Sequence, residues 1–138
     1  MISINMLEPW AGNGLKYISA VIPTYGREQV LIETIQHLVA LQNGLEEILI
    51  IEQTLQHESG TRSRLQAWHD IGIIRWLRLS SPSITHAMNV GLREARGKIV
   101  LFLDDDINPD FGLVEAHRNA HVIGESRIVA GPVLQPGE

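Results

Sequence analysis

Asp104, Asp105 and Asp106 stand side by side, directly after the apolar run Ile99-Val100-Leu101-Phe102-Leu103. Carboxylates about 4 Å apart repel by roughly 1 kcal/mol per pair in water, and by about 4 kcal/mol at an effective dielectric near 20. A cation offsets that repulsion. A hard divalent ion, held by one or two carboxylates and completed by the phosphates of a ligand, is the chemistry such a cluster suits. The alternative is an acidic loop that only leads into the helix expected just beyond Pro109. His117 and His121 are spaced i, i+4 on that helix, as zinc-binding pairs are. No Glu follows His117 in the H-E-x-x-H pattern, and the chain has no cysteine, so a zinc site is not expected there.

The elements that position the aspartates follow from hydrophobic periodicity. Strands are expected at Tyr17 to Ile22, Glu47 to Ile51, Ile73 to Leu79, Lys98 to Leu103 and Ile128 to Gly131. Helices are expected from Arg27 to Gln42, Thr61 to Asp70, Ile84 to Ala95 and Asp110 to Val122. Leu31, Ile35 and Leu38 make the apolar stripe of the first helix, and Gly44 stops it. This strict alternation of strand and helix predicts an α/β fold, three layers deep, with a mainly parallel sheet. In such a sheet, ligands bind outside the carboxyl ends of the strands, where the strand order reverses. The polar segments collect at those ends: Pro23 to Arg27, Glu52 to Thr54, Ser80 to Ser83, and the three aspartates. Residues 1 to 16 are expected to be a weakly structured lead-in, and 17 to 138 the single functional domain.

Composition narrows the partners. The chain has 138 residues, 44% of them hydrophobic and 20% charged, with a formal net charge of −5. That is enough chain for one sizeable core, and it offers no general basic surface for nucleic acid. Arg62, Arg64, Arg75 and Arg78 form a loose basic stretch, which reads as a solvated face. No apolar run is long enough to span a membrane. The first residues lack the continuous apolar centre of a signal peptide. Absence of cysteine fits a reducing compartment, so the expected location is cytoplasmic, with contact to a membrane surface only through an acceptor or a further C-terminal part.

The motifs, taken in order, resemble one family. Val21-Ile22-Pro23-Thr24-Tyr25-Gly26-Arg27 resembles the opening strand and loop of family 2 glycosyltransferases of the GT-A fold, with Gly26 where Asn is common. Ile48 to Thr54 resembles their second strand, whose acidic end is here Glu52-Gln53. Ala87-Met88-Asn89-Val90-Gly91-Leu92 followed by Ala95-Arg96-Gly97-Lys98 resembles A-R-N-x-G-(I/L)-x-x-A-x-G-(E/K), with Met88 in place of Arg. Leu103-Asp104-Asp105-Asp106 matches the L-D-x-D metal motif. The resemblance spans about residues 17 to 133.

What the resemblance implies is a site for a nucleotide-diphosphosugar donor: a UDP-, GDP- or dTDP-sugar. Pro23, Thr24, Tyr25 and Arg27 would lie along the base and ribose. Glu52 would accept a hydrogen bond from the base. Asp104 and Asp105 would lie near the ribose and diphosphate. Asp106, with Asp104, would hold Mn²⁺ or Mg²⁺. The acceptor is unknown, and the resemblance suggests an inverting transfer. Family members continue past the length seen here into an acceptor-binding half with the general base, so this chain is expected to be the donor-binding half. Two other classes fit parts of the pattern. A signalling receiver domain has a similar length and an acidic metal pocket, but its paired acids follow strand 1, where this chain has Pro23-Thr24-Tyr25. A catalytically inactive interaction domain on the transferase fold would form a homodimer through an exposed apolar edge.

Overall fold

Unbroken apolar runs such as Ile48 to Ile51 stay dry on both faces only in a sheet covered by helices on each side. The computed structural model has that architecture, and it describes residues 1–5, 18–41, 44–123, 128–135 and 137. Six strands, β1 (Ile2–Asn5), β2 (Ile18–Thr24), β3 (Leu45–Glu52), β4 (Arg75–Arg78), β5 (Ile99–Phe102) and β6 (Ile128–Ala130), form one sheet in the order β4-β3-β2-β5-β1-β6. Four helices connect them: α1 (Gln29–Leu41), α2 (Ser59–Asp70), α3 (Ile84–Glu94) and α4 (Leu113–Ile123). The pairs β2·β3, β2·β5 and β3·β4 are parallel.

Alternate side chains of the central strands enter two cores. Ile18, Ala20 and Ile22 of β2 pack with Leu31, Ile35 and Leu38 of α1, Leu65 of α2 and Leu113 and Val114 of α4. Val21 of the same strand faces the other way, with Leu49, Val100 and Phe102, against Ala87 and Val90 of α3. Fully burying one such side chain contributes about 1.5–3 kcal/mol, so these strands hold the sheet at its centre. The α3 helix sits close because Gly91 has no Cβ: one placed there would meet Val21 Cγ1 at 2.5 Å.

The topology fixes where a ligand can enter. From β2 the chain steps outward to β3 and β4, then returns to β5 on the other side of β2. Strand order therefore reverses between β2 and β5, and the crevice of a doubly wound sheet opens beyond their carboxyl ends. The parallel ladder runs up to that edge. Leu103 N–H bonds to Val21 O at 3.0 Å, Gln53 N–H to Thr24 O at 3.0 Å, and Leu79 N–H to Glu52 O at 2.7 Å.

The structure corrects the reading of the first residues. Ile2–Asn5, expected in a weakly structured lead-in, is β1. It lies antiparallel between β5 and β6. Its period-2 pattern, Ile2-Ser3-Ile4, was a strand signal in a segment too short to stand out. Tyr17 and the other residues from 6 to 17 lie outside the described residues. The five strands expected from the sequence still run in one direction, because β5 and β6 are each antiparallel to β1. Several boundaries also move by a few residues, as where β2 runs on to Thr24 and β3 starts at Leu45, and two of these shifts have a local cause. The β4 strand starts at Arg75, not Ile73, because Ile73 N–H and Ile74 N–H bond to Trp68 O and close the end of α2. The α4 helix starts at Leu113, not Asp110. Asp110 instead precedes it, its carboxylate accepting from Gly112 N–H at 2.8 Å and its carbonyl from Leu113 N–H at 3.0 Å.

Candidate functional site

Four strand ends meet at one cleft of about 570 Å³. The end of β2 supplies Pro23 and Thr24, and the turn after it Tyr25 and Arg27. The end of β3 supplies Gln53, the β4–α3 turn supplies Pro82, Ser83 and Ile84, and the turn after β5 supplies Asp104, Asp105 and Asp106. The turn after β2 requires a left-handed residue, and Gly26 takes it at φ +66. Asn, the usual residue at this point of the resemblance, is among the side chains that tolerate the same conformation. Gly26 N–H then donates to Thr54 Oγ1 at 2.7 Å, which binds this turn to the segment after β3.

The three aspartates have different surroundings. Asp105 is the most enclosed, its side chain 13% exposed. One of its oxygens accepts from the Thr24 hydroxyl at 2.7 Å, and the other faces Arg27 Nε at 3.2 Å. Its backbone carbonyl accepts from the Thr34 hydroxyl on α1 at 3.0 Å. Asp106 is half-exposed and pairs with the other arm of the Arg27 guanidinium at 3.2 Å. Asp104 is exposed and has no hydrogen-bond or ion-pair partner among the described residues. Asp105 therefore orders the turn, while Asp104 and Asp106 are the carboxylates open to a ligand. The described residues contain no group of three or more metal-binding side chains. Two exposed carboxylates with an open cleft beside them fit a hard ion such as Mg²⁺ or Mn²⁺, which draws its remaining oxygens from ligand phosphates and water.

Gln53 is the residue that sequence reasoning left out of the site. It is buried. Its side-chain oxygen accepts from Ser83 N–H at 2.6 Å and its amide nitrogen donates to Thr24 O at 3.4 Å. It joins the ends of β2 and β3 to the start of α3 and lines the cleft. A polar side chain immediately past a buried strand, at the carboxyl edge, was the available signal. Ser83 also caps α3, its hydroxyl accepting from His86 N–H at 3.4 Å.

Behind the cleft lies a charged pair of loops. Glu52 is fully buried. One carboxylate oxygen accepts from Thr54 N–H at 2.7 Å, and the other is engaged by His57 Nε2. The second ring nitrogen of His57 lies 2.9 Å from Glu28 at the start of α1. A histidine with a carboxylate at each nitrogen is best satisfied as the doubly protonated imidazolium. Burial opposes that charge, but the hydrogen bonds and attraction from Glu52 and Glu28 outweigh it, and the His57 pKa lies above the ordinary histidine value. Burial likewise raises the Glu28 pKa, yet hydrogen bonds from Thr61 and His57 and the charge of His57 bring it below the ordinary carboxylate value.

The residue pattern and this geometry meet in the comparisons with known proteins. The model of the family described as "Glycosyl transferase family 2" matches residues 19–137. The chain belongs to glycosyl transferase family 2. A relative in Bacillus subtilis (strain 168), an uncharacterized glycosyltransferase named YfnE, is 32% identical over 114 residues, covering 82% of this chain and 29% of that protein. Among solved structures, the mannosyltransferase PcManGT from Pyrobaculum calidifontis, in complex with GDP-Man and Mn²⁺, superposes with a TM-score of 0.62 at 21% identity. That match covers 76% of this chain and 32% of the other. Glucosyl-3-phosphoglycerate synthase from Mycobacterium tuberculosis, with Mn²⁺, UDP and phosphoglyceric acid, superposes with a TM-score of 0.62 at 23% identity, covering 80% of this chain and 40% of the other. The fold is therefore GT-A. The chain spans less than half the length of each of these relatives.

Within this family 2 domain, the structure brings seven of the eight sequence-selected residues to the cleft: Pro23, Thr24, Tyr25, Arg27, Asp104, Asp105 and Asp106. Glu52 is the exception. It does not line the cleft, its surface is fully covered, and both oxygens are already engaged by the protein. The expected hydrogen bond from Glu52 to a base is replaced by bonds that fix the segment after β3. Met88, at the point where the family motif has Arg, packs half-buried against the second core and brings no charge to the cleft. His117 and His121, spaced as a zinc pair would be, are buried where α4 meets β1. The Ser3 hydroxyl lies 2.7 Å from His117 Nδ1 and 2.7 Å from His121 Nε2.

Proposed function

We propose that this domain binds a nucleotide-diphosphosugar in the cleft between β2 and β5, with a divalent cation between Asp104, Asp106 and the diphosphate, for transfer of the sugar to an acceptor. One observation carries the reading. Two carboxylates, Asp104 without a partner among the described residues and Asp106 held only by an exposed arginine, face the cleft at the point where strand order reverses. The structural relatives crystallised with GDP-Man and Mn²⁺, and with Mn²⁺ and UDP, support the ligand class.

The chain's own residues would act as follows. Pro23, Thr24 and Tyr25 form the wall along the base and ribose, with half-exposed Tyr25 offering its ring face. Gln53, just past the end of β3, rather than Glu52, is the polar side chain that faces the nucleotide. Asp105 keeps the turn after β5 in place through Thr24 and Arg27. Asp104 and Asp106 turn the anionic edge of the cleft into a diphosphate site once a cation is between them. The bound Mn²⁺ or Mg²⁺ would stabilise the charge that builds on the departing nucleoside diphosphate.

The proposed transfer is inverting. Asp110 does not take the role of its general base, since its carboxylate is engaged in ordering the start of α4. No helix among the described residues is long and apolar enough to cross a membrane. We place the domain in the cytoplasm, meeting a membrane surface only through its acceptor. Calorimetry with UDP, GDP and dTDP, each with and without Mn²⁺, tests the proposal. Mn²⁺-dependent binding of at least one is expected, weakened about tenfold or more by Asp106→Asn, the loss of one strong charged contact. Binding of none of the three, or binding indifferent to Mn²⁺, would refute it.

A further inference from the structure

Among the described residues, Arg27 is the cation ion-paired to the acidic cluster. Its guanidinium spans from the turn after β2 to the turn after β5, with Nε 3.2 Å from Asp105 and an arm 3.2 Å from Asp106. The two contacts are unequal. Asp105 is enclosed and anchored a second time by Thr24. Arg27 and Asp106 are each 47% exposed, and an ion pair in such a setting exchanges readily, since its net worth is about 0.2–1 kcal/mol. Of the two carboxylates open to a divalent ion, one is therefore free and the other is occupied by a weakly held positive charge.

Resting on the function proposed above, we infer that Arg27 is a resident counter-cation whose release from Asp106 links metal binding to diphosphate binding. A divalent ion arriving alone must displace the guanidinium from Asp106, or sit beside it. Either way it meets a positive charge and gains little. The described residues do not complete the coordination sphere by themselves, because they hold no group of three ligating side chains. A diphosphate supplies both deficits. Its oxygens fill the remaining metal positions, and its charge gives the displaced guanidinium a new partner. The planar fork of Arg is suited to two phosphate oxygens. Arg27 stays tethered through Asp105 while its other arm moves from carboxylate to phosphate. Linkage makes the effect reciprocal: the diphosphate tightens metal binding by the factor by which metal tightens diphosphate binding. Metal alone is then a poor occupant, and the site loads as a pair.

The test measures protein-bound Mn²⁺ by proton relaxation enhancement, with and without inorganic pyrophosphate, on the wild type, Arg27→Gln and Arg27→Lys. Arg27→Gln should bind Mn²⁺ alone about fivefold more tightly than the wild type, near the upper end for an exposed pair. The factor by which pyrophosphate strengthens Mn²⁺ binding should shrink severalfold. Arg27→Lys should keep the weak binding of Mn²⁺ alone but lose part of the coupling, since an ammonium lacks the fork. Added salt should narrow the gap between wild type and Arg27→Gln. The side chain is half-exposed, so thermal midpoints should match and serve as the folding control. Equal Mn²⁺ affinity and equal coupling in wild type and Arg27→Gln would overturn the inference and leave the proposed function standing. Failure of every variant, wild type included, to bind Mn²⁺ with pyrophosphate would overturn both.

Discussion

Two sets of buried histidine occupy the two halves of the sheet, and they are buried for opposite reasons. His57, behind the cleft, is enclosed between Glu52 and Glu28 and is stabilised as a cation. His117 and His121, on α4 over the β1 side, share the hydroxyl of Ser3. Burial, the nearby His121 and the amino terminus push the His117 pKa below its ordinary value. One hydroxyl can donate to one ring and accept from the other, so the Ser3 arrangement suits two neutral imidazoles. A buried charge is thus placed behind the cleft, where the loops meet a ligand, whereas the Ser3 cluster on the β1 side suits uncharged rings. The same residue type is a charged strut in one place and a neutral filler in the other, and its neighbours decide which.

The largest expected effect tests the charged half. In His57→Ala, the fully buried Glu52 carboxylate loses the cation that compensates it. Removing one partner of a buried pair costs about 3–5 kcal/mol, and chemical denaturation should show a loss of that order at neutral pH. Pairing the change with Glu52→Gln should recover part of the loss, because the orphaned charge is then gone. If the single variant is as stable as the wild type, His57 is not a charged strut and the contrast fails.

Ser3→Ala tests the neutral half and should cost less. It removes the shared hydroxyl and leaves His117 Nδ1 and His121 Nε2 without that bond. Stranding a buried polar group costs about 1–3 kcal/mol, and we expect about 2 kcal/mol, read from the denaturation midpoint. Ser3, His117 and His121 do not line the cleft, so nucleotide binding should be unchanged. A loss as large as that of His57→Ala would mean that the β1 half also holds a buried charge.

The two halves were unequally legible in the sequence. On the cleft side, apolar runs such as Ile48 to Ile51 and Ile99 to Leu103 announce buried strands by themselves. The first residues after such a run stand at the sheet edge by geometry, so the positions of Pro23 and Thr24, of Glu52 and Gln53, and of Asp104 followed from the chain alone. Which of these residues would turn away from the cleft did not follow. Glu52 ends β3 and Gln53 follows it, and only the pairing of Glu52 with His57, in a loop with no periodicity, decided that Gln53 would line the site. On the other side, β1 is four residues long and gains its strand character from β5 and β6, contacts about a hundred residues away. The spacing of His117 and His121 gave a helix face, but the serine between them came from a segment with no local claim to order.

The mildest perturbation is pH, and it separates the two halves by sign. The His117 pKa is lower folded than unfolded. Below the ordinary value of 6.5 the unfolded chain takes up protons that the folded one resists, so this contribution to stability falls as pH drops from 6.5 toward the folded value. The His57 pKa is higher folded than unfolded. Its contribution is complete below 6.5 and is lost as pH rises through the folded value. The two windows meet at 6.5, and together the groups give a stability maximum there. Replacing His117 by Gln should remove the decline on the acid side just below 6.5 and leave the decline above it, whereas the His57→Ala, Glu52→Gln pair should do the reverse. Midpoints of urea unfolding measured from pH 5 to 9 would show it. If both variants flatten the same limb, the two histidines are responding to one shared charge, and the division of the sheet into a charged edge and a neutral flank is wrong.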